Sequence, residues 1–482
     1  MPSYPLPPLP ERPKQGLAQS LAESIASQIA NGAYKAGDRL PSLRELAQRF
    51  GYAKNTVVAA FEILVARGLL DPRRGAGYFV RDIKAAPHRQ DAGGLTRAMD
   101  TVWLMRQQFA ASDGHIVAGA GLPPAEWMSG ARLDKLHHKI ARAGLGTMSG
   151  YGDPFGYEPL RRHLVRNCGD LGIDAEPSEI VTFHGANDAA DVLIRYFIPS
   201  GECVFVDEPG YYPLFGKLKL AGADIVGIPR RGDGPDVQAL ERSLRIKKPR
   251  LFFTQSVGQN PTGSDISPAN AFRVLQLANE HNFLVVEMDP VGDFAPASAP
   301  RMCSLDQLDR TIYIGTFSKT FSAPLRVGFV ACRADLAQGL ADLKAITHVN
   351  SSEYCERTMD AVLTEGHYHR HLKGLRAKLA AARKTALALF DELGAEVFSR
   401  SPHSLYVWAT LPGFADSIEL AEILLREKIV LAPGRIFNLD SDPTSPWVRY
   451  NVAAGANPRF GKVLKAVLQR RHVQRPARRK LD

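Results

Sequence analysis

The sequence TIYIGTFSKTFSAPLRVGFVAC, residues 311–332, predicts two apolar strands joined by a polar segment that carries Lys319 and Arg326. Similar apolar runs, CVFVDEP, RLFFTQS and FLVVEMD, precede it. They alternate with stretches of helical pattern over about 350 residues, which predicts an α/β fold with a mostly parallel sheet covered on both faces. Because such folds bind ligands where their strands end, the segment around Lys319 is a candidate site.

Length and composition favour a globular protein with more than one domain. The chain has 482 residues, 45% of them hydrophobic and 23% charged, which is too long for one ordinary core. No apolar run would span a bilayer, and the first residues, MPSYPLPPLPERPK, lack the apolar core of a signal peptide. The five cysteines are scattered and form no CxxC pair, so we expect no disulfide framework, no metal site and a cytoplasmic location.

The net charge of +10 is concentrated at the two ends of the chain. Residues 1–90 carry a net charge of +6 and residues 458–482 carry +8, so the intervening part is near −4. Basic ends on a mildly acidic body indicate a polyanion that binds at the ends. For the basic tail, residues 473–482, a solvated end without a partner is the alternative.

Residues 13–81 have the pattern of a winged helix-turn-helix. One helix is predicted from the spacing of Leu17, Leu21 and Ile25, and a second from the capping box of Ser42 and Glu45. A third helix follows a glycine turn, and the segment RRGAG between two short apolar runs predicts a two-stranded wing. The alternative is a small helical domain with ordinary surface charge.

The third helix would begin with Lys54, Asn55 and Thr56, whose side chains suit base edges in the major groove. Arg44 in the second helix and the arginines of the wing suit phosphate. The sequence GDRLPSLRELAQRFGYAKNTVVAAFEILVARGLL resembles the GntR family of bacterial regulators. That resemblance implies binding to a double-stranded DNA operator, with contacts from Arg44, Lys54, Asn55, Thr56, Arg74 and Gly75.

The surroundings of Lys319 have the residue types that a pyridine cofactor with a phosphate group requires. A lysine that forms a Schiff base needs neighbouring cations and an anion site for the phosphate. Hydroxyl and guanidinium groups for phosphate are present in Thr316, Ser318 and Arg326. A second phosphate-binding element is the glycine turn Gly185-Ala186-Asn187, which opens a helix.

Three further residues are candidates for contacts with the cofactor ring. Tyr211 in DEPGYYP could lie on its face, and Asn260 in QNPTG could bond its phenolic oxygen. Asp289 is the candidate acid for the pyridine nitrogen. A carboxylate there keeps the nitrogen protonated, so that the ring can accept electrons.

The ordered set of these motifs over residues 115–470 resembles the fold-type I aminotransferases. The resemblance implies pyridoxal 5'-phosphate (PLP) on Lys319, a substrate or effector carboxylate on Arg449, and a smaller C-terminal α+β subdomain. It also implies a homodimer in which Tyr151 reaches the phosphate of the partner subunit. The alternative is an aminotransferase-like fold that has lost its cofactor.

The sequence departs from that family at the pyridine acid. Where the family has E-D-D-x-Y or D-E-x-Y, this chain has Glu287-Met288-Asp289-Pro290-Val291. Aligned without gaps, Met288 occupies the position of the acid and Val291 that of the tyrosine. Asp289 could serve if the strand end shifts by one residue.

The whole architecture resembles the MocR (GabR-type) regulators. It implies a winged helix-turn-helix at 13–81, a linker at 82–114, an aminotransferase-like effector and dimerisation domain at 115–472, and the basic tail. The expected function is transcriptional regulation that responds to PLP or to an amino compound, so the protein would not be primarily an enzyme. Two alternatives stay open: an active aminotransferase with an appended DNA-binding domain, and a regulator whose body holds no cofactor.

Overall fold

The computed structural model describes residues 16–30, 33–35, 37–67, 69–73, 77–81, 114–128, 133–142, 150–439 and 444–474. The chain divides into two compact units, Met1–Ala92 and Gly93–Asp482. The division falls within the predicted linker, 82–114, of which only residue 114 is described. Residues 475–482 of the predicted tail also lie outside the described residues.

The described residues of the first unit form three helices and a two-stranded antiparallel sheet: α1 (Leu17–Ala30), α2 (Leu43–Phe50), α3 (Lys54–Ala66), β1 (Leu70–Arg73) and β2 (Gly77–Val80). The predicted capping box is present, since Ser42 Oγ accepts from the Glu45 N–H and Glu45 Oε2 accepts from the Ser42 N–H. Leu21, Phe61 and Leu64 are buried together in its core. This is the winged helix-turn-helix that the sequence predicts.

The second unit is built on a large sheet with helices around it. Its helices are α4 (Ala125–Met128), α5 (Leu133–Arg142), α6 (Glu158–Asp170), α7 (Ala186–Phe197), α8 (Tyr212–Leu220), α9 (Val237–Leu244), α10 (Pro268–His281), α11 (Met302–Asp306), α12 (Ala334–His348), α13 (Glu353–Thr364), α14 (His367–Glu392), α15 (Ser417–Arg426), α16 (Val452–Gly455) and α17 (Pro458–Gln474). The strands of the large sheet are β3 (Ile180–Phe183), β4 (Cys203–Glu208), β5 (Asp224–Arg231), β6 (Gly234–Pro235), β7 (Leu251–Thr254), β8 (Leu284–Asp289), β9 (Thr311–Thr316) and β10 (Gly328–Ala331).

The strand order in the large sheet is β3-β10-β9-β8-β7-β4-β5-β6. The five strands β5, β4, β7, β8 and β9 run parallel, whereas β10 is antiparallel to both of its neighbours. Both faces of the central strands are covered: Val285 packs in one apolar cluster and Val286 in another. Burial on both faces explains why these strands are continuous apolar runs without alternation.

A smaller antiparallel sheet forms a separate layer near the C-terminus. Its strands are β11 (Glu396–Val397), β12 (Tyr406–Thr410), β13 (Ala432–Pro433) and β14 (Val448–Asn451), in the order β11-β12-β14-β13. The long helix α14 and the helices α16 and α17 pack on it, with Phe390, Tyr450 and Phe460 in the shared core. This is the predicted α+β subdomain.

A buried lysine holds the strand that leads to the predicted phosphate turn. Lys344 of α12 is fully buried, and its Nζ donates to the carbonyl oxygens of Pro154 and Thr182 at 2.9 and 2.8 Å. Burial lowers the pKa of Lys344 to about 8. Glu356 lies in the same region, where it accepts from the Tyr157 N–H and the Thr182 hydroxyl. These contacts fix the end of β3.

In the described part of the chain, no helix is long and apolar enough to cross a membrane. The same residues contain no group of three or more His, Cys, Asp or Glu side chains that could hold a metal ion.

Two backbone segments approach each other too closely for a side chain between them. A Cβ added to Gly328 of β10 would lie 2.7 Å from Gly185 Cα and 2.8 Å from the Ala186 nitrogen. Both contacts are to backbone, so neither can be relieved by a rotamer change. Gly328 therefore sets the distance between β10 and the start of α7.

We expect Gly328→Ala to lower the free energy of unfolding by about 1–3 kcal/mol, because overpacked sites must shift their backbone. The control is Gly169→Ala in α6, where an added Cβ would meet nothing within 4 Å and helix propensity favours alanine by up to about 1 kcal/mol. Thermal unfolding of both variants measures the difference. A Gly328→Ala protein as stable as Gly169→Ala would contradict the close approach.

Candidate cofactor and DNA-binding sites

Lys319 lies on the loop that joins β9 to β10. These strands pair antiparallel, with Thr316 opposite Gly328, so the loop between them is closed at its base. The Lys319 Nζ is 5.6 Å from the centroid of the Tyr406 ring. Arg326 is on the same loop and adopts a positive φ of 53°. The loop therefore presents an amine and a guanidinium from one short segment, as the sequence indicates.

Arg326 is packed against the turn that starts α7. Its Nη2 donates to the His184 carbonyl at 2.7 Å, and a Cβ on Gly185 would lie only 2.7 Å from the same nitrogen. Its Nη1 is 3.4 Å from Ser318 Oγ, which in turn is 3.1 Å from Thr316 Oγ1. The structure thus brings together Arg326, Ser318, Thr316 and Gly185, four of the predicted phosphate ligands.

The start of α7 adds backbone donors to this cluster. Gly185 is the N-cap residue, with φ 82°, and Ala186 and Asn187 form the first turn of a 12-residue helix. The first N–H groups of a helix have no acceptor within it, and the helix dipole favours an anion there. The guanidinium, the Ser318 hydroxyl and these N–H groups are donors of the kind that an anion such as a phosphate group accepts from, whereas the Thr316 hydroxyl donates to the Val327 carbonyl at 3.1 Å. We call this set the phosphate cup.

Tyr211 is the N-cap residue of α8. Burial raises the pKa of Tyr211 above its ordinary value, while the positive charges of Arg449 and Arg326 act in the opposite direction. Tyr211 is therefore within electrostatic reach of both arginines. The Tyr211 side chain packs against the apolar cluster that contains Met288.

Arg449 of β14 is buried, with 1% of its surface exposed. Its Nη1 donates to Asn260 Oδ1 at 2.8 Å and its Nη2 to the Gly119 carbonyl at 2.6 Å. Its guanidinium carbon lies 4.9 Å from the ring centroids of both Tyr406 and Phe437. Among the described residues no carboxylate pairs with Arg449, and its Nε has no hydrogen-bond acceptor. A buried guanidinium in this state is suited to an incoming carboxylate.

Asn260 joins Arg449 to the predicted ring contacts. Its backbone N–H donates to Gln255 Oε1 at 2.8 Å, which fixes the residue, and its Oδ1 is occupied by Arg449. The only donor of its side chain is the Nδ2 group of the amide. That group is the one needed for a hydrogen bond to a phenolic oxygen.

Asp289 does not lie where the sequence predicts it. Its Oδ2 accepts from Arg301 Nε at 2.8 Å and from the Tyr313 hydroxyl at 3.0 Å. Met288, the preceding residue of β8, points to the other face, where it packs in the apolar cluster that contacts Tyr211. The strand does not shift by one residue, because Met288 pairs with Ile314 and Asp289 with Gly315 in regular register.

The physical reason is the fully buried guanidinium of Arg301, which would be left without a carboxylate if Asp289 turned to the other face. The prediction that Asp289 faces the cofactor ring is therefore corrected. A thioether stands on the side of β8 where an acid was expected. Val291, at the position of the family tyrosine, is also buried and apolar.

Tyr406 is a site residue that the sequence does not indicate. It lies on β12, its ring is contacted by both Lys319 and Arg449, and its hydroxyl donates to the Gly121 carbonyl at 3.0 Å. The surrounding sequence SLYVWAT is an ordinary strand pattern. No motif distinguishes this tyrosine, and only the packing of β12 against the Lys319 loop places it here.

Tyr151 is far more exposed than the other predicted cofactor residues, with 81% of its surface accessible. Its carbonyl accepts from Asn350 Nδ2 at 2.5 Å. Next to Asn350, Val349 is also exposed, as is Ile346 on α12. Tyr151 is thus held to the segment that follows α12, and among the described residues it makes no contact with the phosphate cup.

The predicted DNA contacts of the first unit lie on exposed positions of two helices. Lys54 and Asn55 are exposed at the start of α3, whereas Val57 of the same helix is buried. Thr56 is half-buried and Arg44 of α2 is exposed. Arg74 and Gly75 of the predicted wing tip lie outside the described residues. The polar first turn of α3 is therefore available to a ligand while its apolar side forms the core.

Two family models match the chain. Residues 120–467 match aminotransferase class I and II, and residues 17–80 match the gntR family of bacterial regulatory proteins. The chain is 29% identical to the probable rhizopine catabolism regulatory protein MocR of Rhizobium meliloti, over 77% of this chain and 76% of that protein. It is also 29% identical to the HTH-type transcriptional regulator YjiR of Escherichia coli (strain K12), over 93% and 97%. The predicted resemblance to MocR-type regulators is confirmed.

A solved structure with a similar fold is LysN, the α-aminoadipate aminotransferase of Thermus thermophilus, complexed with N-(5'-phosphopyridoxyl)-L-leucine. The TM-score is 0.68 at 25% identity, and the match covers 76% of this chain and 95% of LysN. The aminotransferase model spans well over half of the sequence. The chain therefore belongs to the aminotransferase class I and II family, and it carries an N-terminal domain of the gntR family of bacterial regulatory proteins.

Proposed function

We propose that the protein is a transcriptional regulator that binds an operator through its first unit and senses PLP or an amino compound through its second. One observation carries the proposal. The Lys319 amine and the buried Arg449 lie against the same Tyr406 ring, and Arg449 has no carboxylate partner among the described residues. The Lys319 loop also carries Ser318 and Arg326 of the phosphate cup. A gntR domain in the same chain supplies the means to act on DNA.

The residues present fit PLP at the phosphate cup and at Lys319. Arg326, Ser318 and the first N–H groups of α7 would hold the phosphate, Tyr211 would lie on the ring, and the Lys319 amine would bind the aldehyde carbon. When bound, PLP supplies a carbonyl group that reacts reversibly with primary amines. Arg449 would orient a ligand that carries both an amine and a carboxylate.

The residues at the end of β8 favour ligand sensing over transamination. The ring acid of the family is replaced by Met288, and the adjacent carboxylate, Asp289, is committed to Arg301 on the other face. Without a carboxylate the pyridine nitrogen is not held protonated, and the ring is a poor electron sink. An amine would then bind and be released unchanged.

An active aminotransferase is the second candidate, because Arg449 and Asn260 keep the arrangement that receives an amino acid. The chain is 28% identical, over 74% of its length and 91% of that protein, to a protein of Thermus thermophilus named 2-aminoadipate transaminase. The two functions differ in whether amino acids are consumed. The third possibility, a body without cofactor, is opposed by the intact phosphate cup.

The exposed side chains of Tyr151, Ile346 and Val349 support a homodimer. Exposed aromatic and apolar side chains are suited to contact with a second copy of the chain. In the dimer, Tyr151 would reach the phosphate cup of the partner subunit. Two first units would then be held together, and their third helices could contact two half-sites of one operator.

Lys319→Ala should abolish the visible absorption band that we expect when PLP is added to the purified protein. The amine of Lys319 is the group that binds PLP covalently. Lys378→Ala, which removes an exposed lysine of α14, is the matched control and should keep the band. Equal bands in the Lys319→Ala and wild-type proteins would contradict the role of Lys319. No band in any protein would favour the body without cofactor.

Met288→Asp should increase transamination of amino acids at least about tenfold, because a carboxylate near the ring nitrogen restores the electron sink. Formation of the keto acid in a single turnover, with PLP supplied, measures the rate. Met288→Leu separates the effect of charge from that of repacking. If the wild-type protein already turns over as fast as Met288→Asp, the active aminotransferase is the better description.

For DNA, an operator is first selected from a random duplex library with the wild-type protein. Asn55→Ala should then weaken binding by about 1–3 kcal/mol and relax the sequence preference at one or two positions. Arg44→Ala should weaken binding to all sequences and reduce the salt slope by about 1, because it contacts phosphate. Lys378→Ala is the control in the second unit. Unchanged affinity and salt slope in both variants would place the DNA contacts elsewhere.

A further inference from the structure

A cavity lies on the face of β8 opposite Met288. Its volume is about 470 Å³, within the range of about 300–1,000 Å³ that small-molecule sites occupy. The strand ends of β8 and β9 form its floor, and helices α6 and α14 form its walls. Its polar lining includes Asp289, Asp293, Tyr313, Tyr368, Lys373 and Arg376.

The floor contains a buried carboxylate oxygen without a partner. Asp289 is 6% exposed, and its Oδ2 is bonded to Arg301 and Tyr313. Its Oδ1 is fully buried, and no group of the described residues donates a hydrogen bond to it. An unsatisfied charged oxygen costs free energy that a donor in the cavity would recover.

A second acid lies beside it. Asp293 Oδ2 accepts from the hydroxyls of Tyr368 and Thr320. Burial raises the pKa of Asp293, and the negative charge of Asp289 acts in the same direction. Arg301 is bonded to Asp289 and to backbone carbonyls, so it offsets one of the two acids. The floor is therefore rich in acceptors and favours a cationic donor.

The α14 side of the cavity has two basic groups, whereas Asp170 of α6 is an exposed acid of the same lining. Lys373 and Arg376 are exposed on α14, and Arg376 is held by hydrogen bonds to the carbonyls of Asp293 and Ala295. The acids of the floor and the two basic side chains of α14 together match a ligand with an ammonium group at one end and a carboxylate at the other. The apolar surface between them is supplied by Phe317 and Phe329.

We propose that this cavity is a second ligand site, which takes a small organic ammonium compound with its nitrogen at Asp289 and Asp293. A carboxylate at the far end of the ligand contacts Lys373 and Arg376. The site is separate from the phosphate cup, since Asp289 and Met288 point to opposite faces of β8. It does not depend on whether Lys319 binds PLP.

The cavity also contacts the Lys319 loop directly. Phe317 lines it, and Thr320, which follows Lys319, shares a hydrogen bond of 2.8 Å with the Tyr368 hydroxyl. Tyr368 is bonded in turn to Asp293. A ligand that competes for Asp293 acts on this chain of hydrogen bonds, and so on the position of Lys319. The second site is thus placed to modulate the first.

Tertiary amines test the proposal cleanly, because they donate one hydrogen bond and cannot form a Schiff base with PLP. The probes are 5-(dimethylamino)pentanoate, N,N-dimethylpentylamine and pentanoate, titrated by calorimetry into the full chain without PLP. We expect both amines to bind once per chain, the zwitterion more tightly, and pentanoate to bind at least tenfold more weakly. Binding of pentanoate as tight as that of the amines would overturn the assignment of the floor.

Asp293→Asn should weaken both amines at least tenfold, because a bound ammonium group favours the ionised form of Asp293 and asparagine cannot ionise. The asparagine oxygen can still accept from the Tyr368 hydroxyl. Asp342→Asn, at an exposed acid of α12, should bind like wild type. Lys373→Ala changes an exposed residue and should weaken the binding of the zwitterion only. This variant therefore tests the site even if Asp293→Asn does not fold stably. The proposal is overturned if neither amine binds, or if binding is the same in Asp293→Asn and Lys373→Ala as in the wild-type protein.

Discussion

The site in the second unit depends on the close approach of two backbones, at Gly328 and at Gly185. This approach sets the strand β10 against the start of α7, and so fixes where the loop between β9 and β10 must leave the sheet. Arg326 then reaches the His184 carbonyl, and Ser318 falls within reach of Arg326. The phosphate cup is a consequence of sheet geometry, because its loop residues could not meet the start of α7 if the two backbones were further apart.

Much of this arrangement could be predicted from sequence because its signals are local. The capping box of Ser42 and Glu45 lies within four residues, and Lys319 and Arg326 share one loop. The alternation of strands and helices likewise needs no knowledge of distant contacts. Gly185 could be identified because a glycine turn that opens a helix leaves backbone N–H groups free to bind an anion.

The features that could not be predicted are those decided by distant partners. The direction of Asp289 depends on Arg301, twelve residues later, whose buried guanidinium needs a carboxylate. Tyr406 joins the site because the smaller sheet packs there, and nothing in its own strand marks it. The two faces of β8 consequently differ in their side chains. Met288 lies on the face of the candidate cofactor site, and Asp289, which has one unpaired oxygen, lies on the face of the second cavity.

Met288 has a consequence for the kind of information such a protein can carry. An enzyme that converts the compound it binds lowers the local amount of that compound, so its occupancy follows the rate of supply. Under the proposed function, a site with Met288 beside the ring would return its ligand intact, and its occupancy would follow the ligand concentration at equilibrium. In a regulator of the proposed kind, this one side chain would make the response depend on the concentration of the ligand and not on its rate of supply. Each ligand molecule would be released unchanged and could bind again.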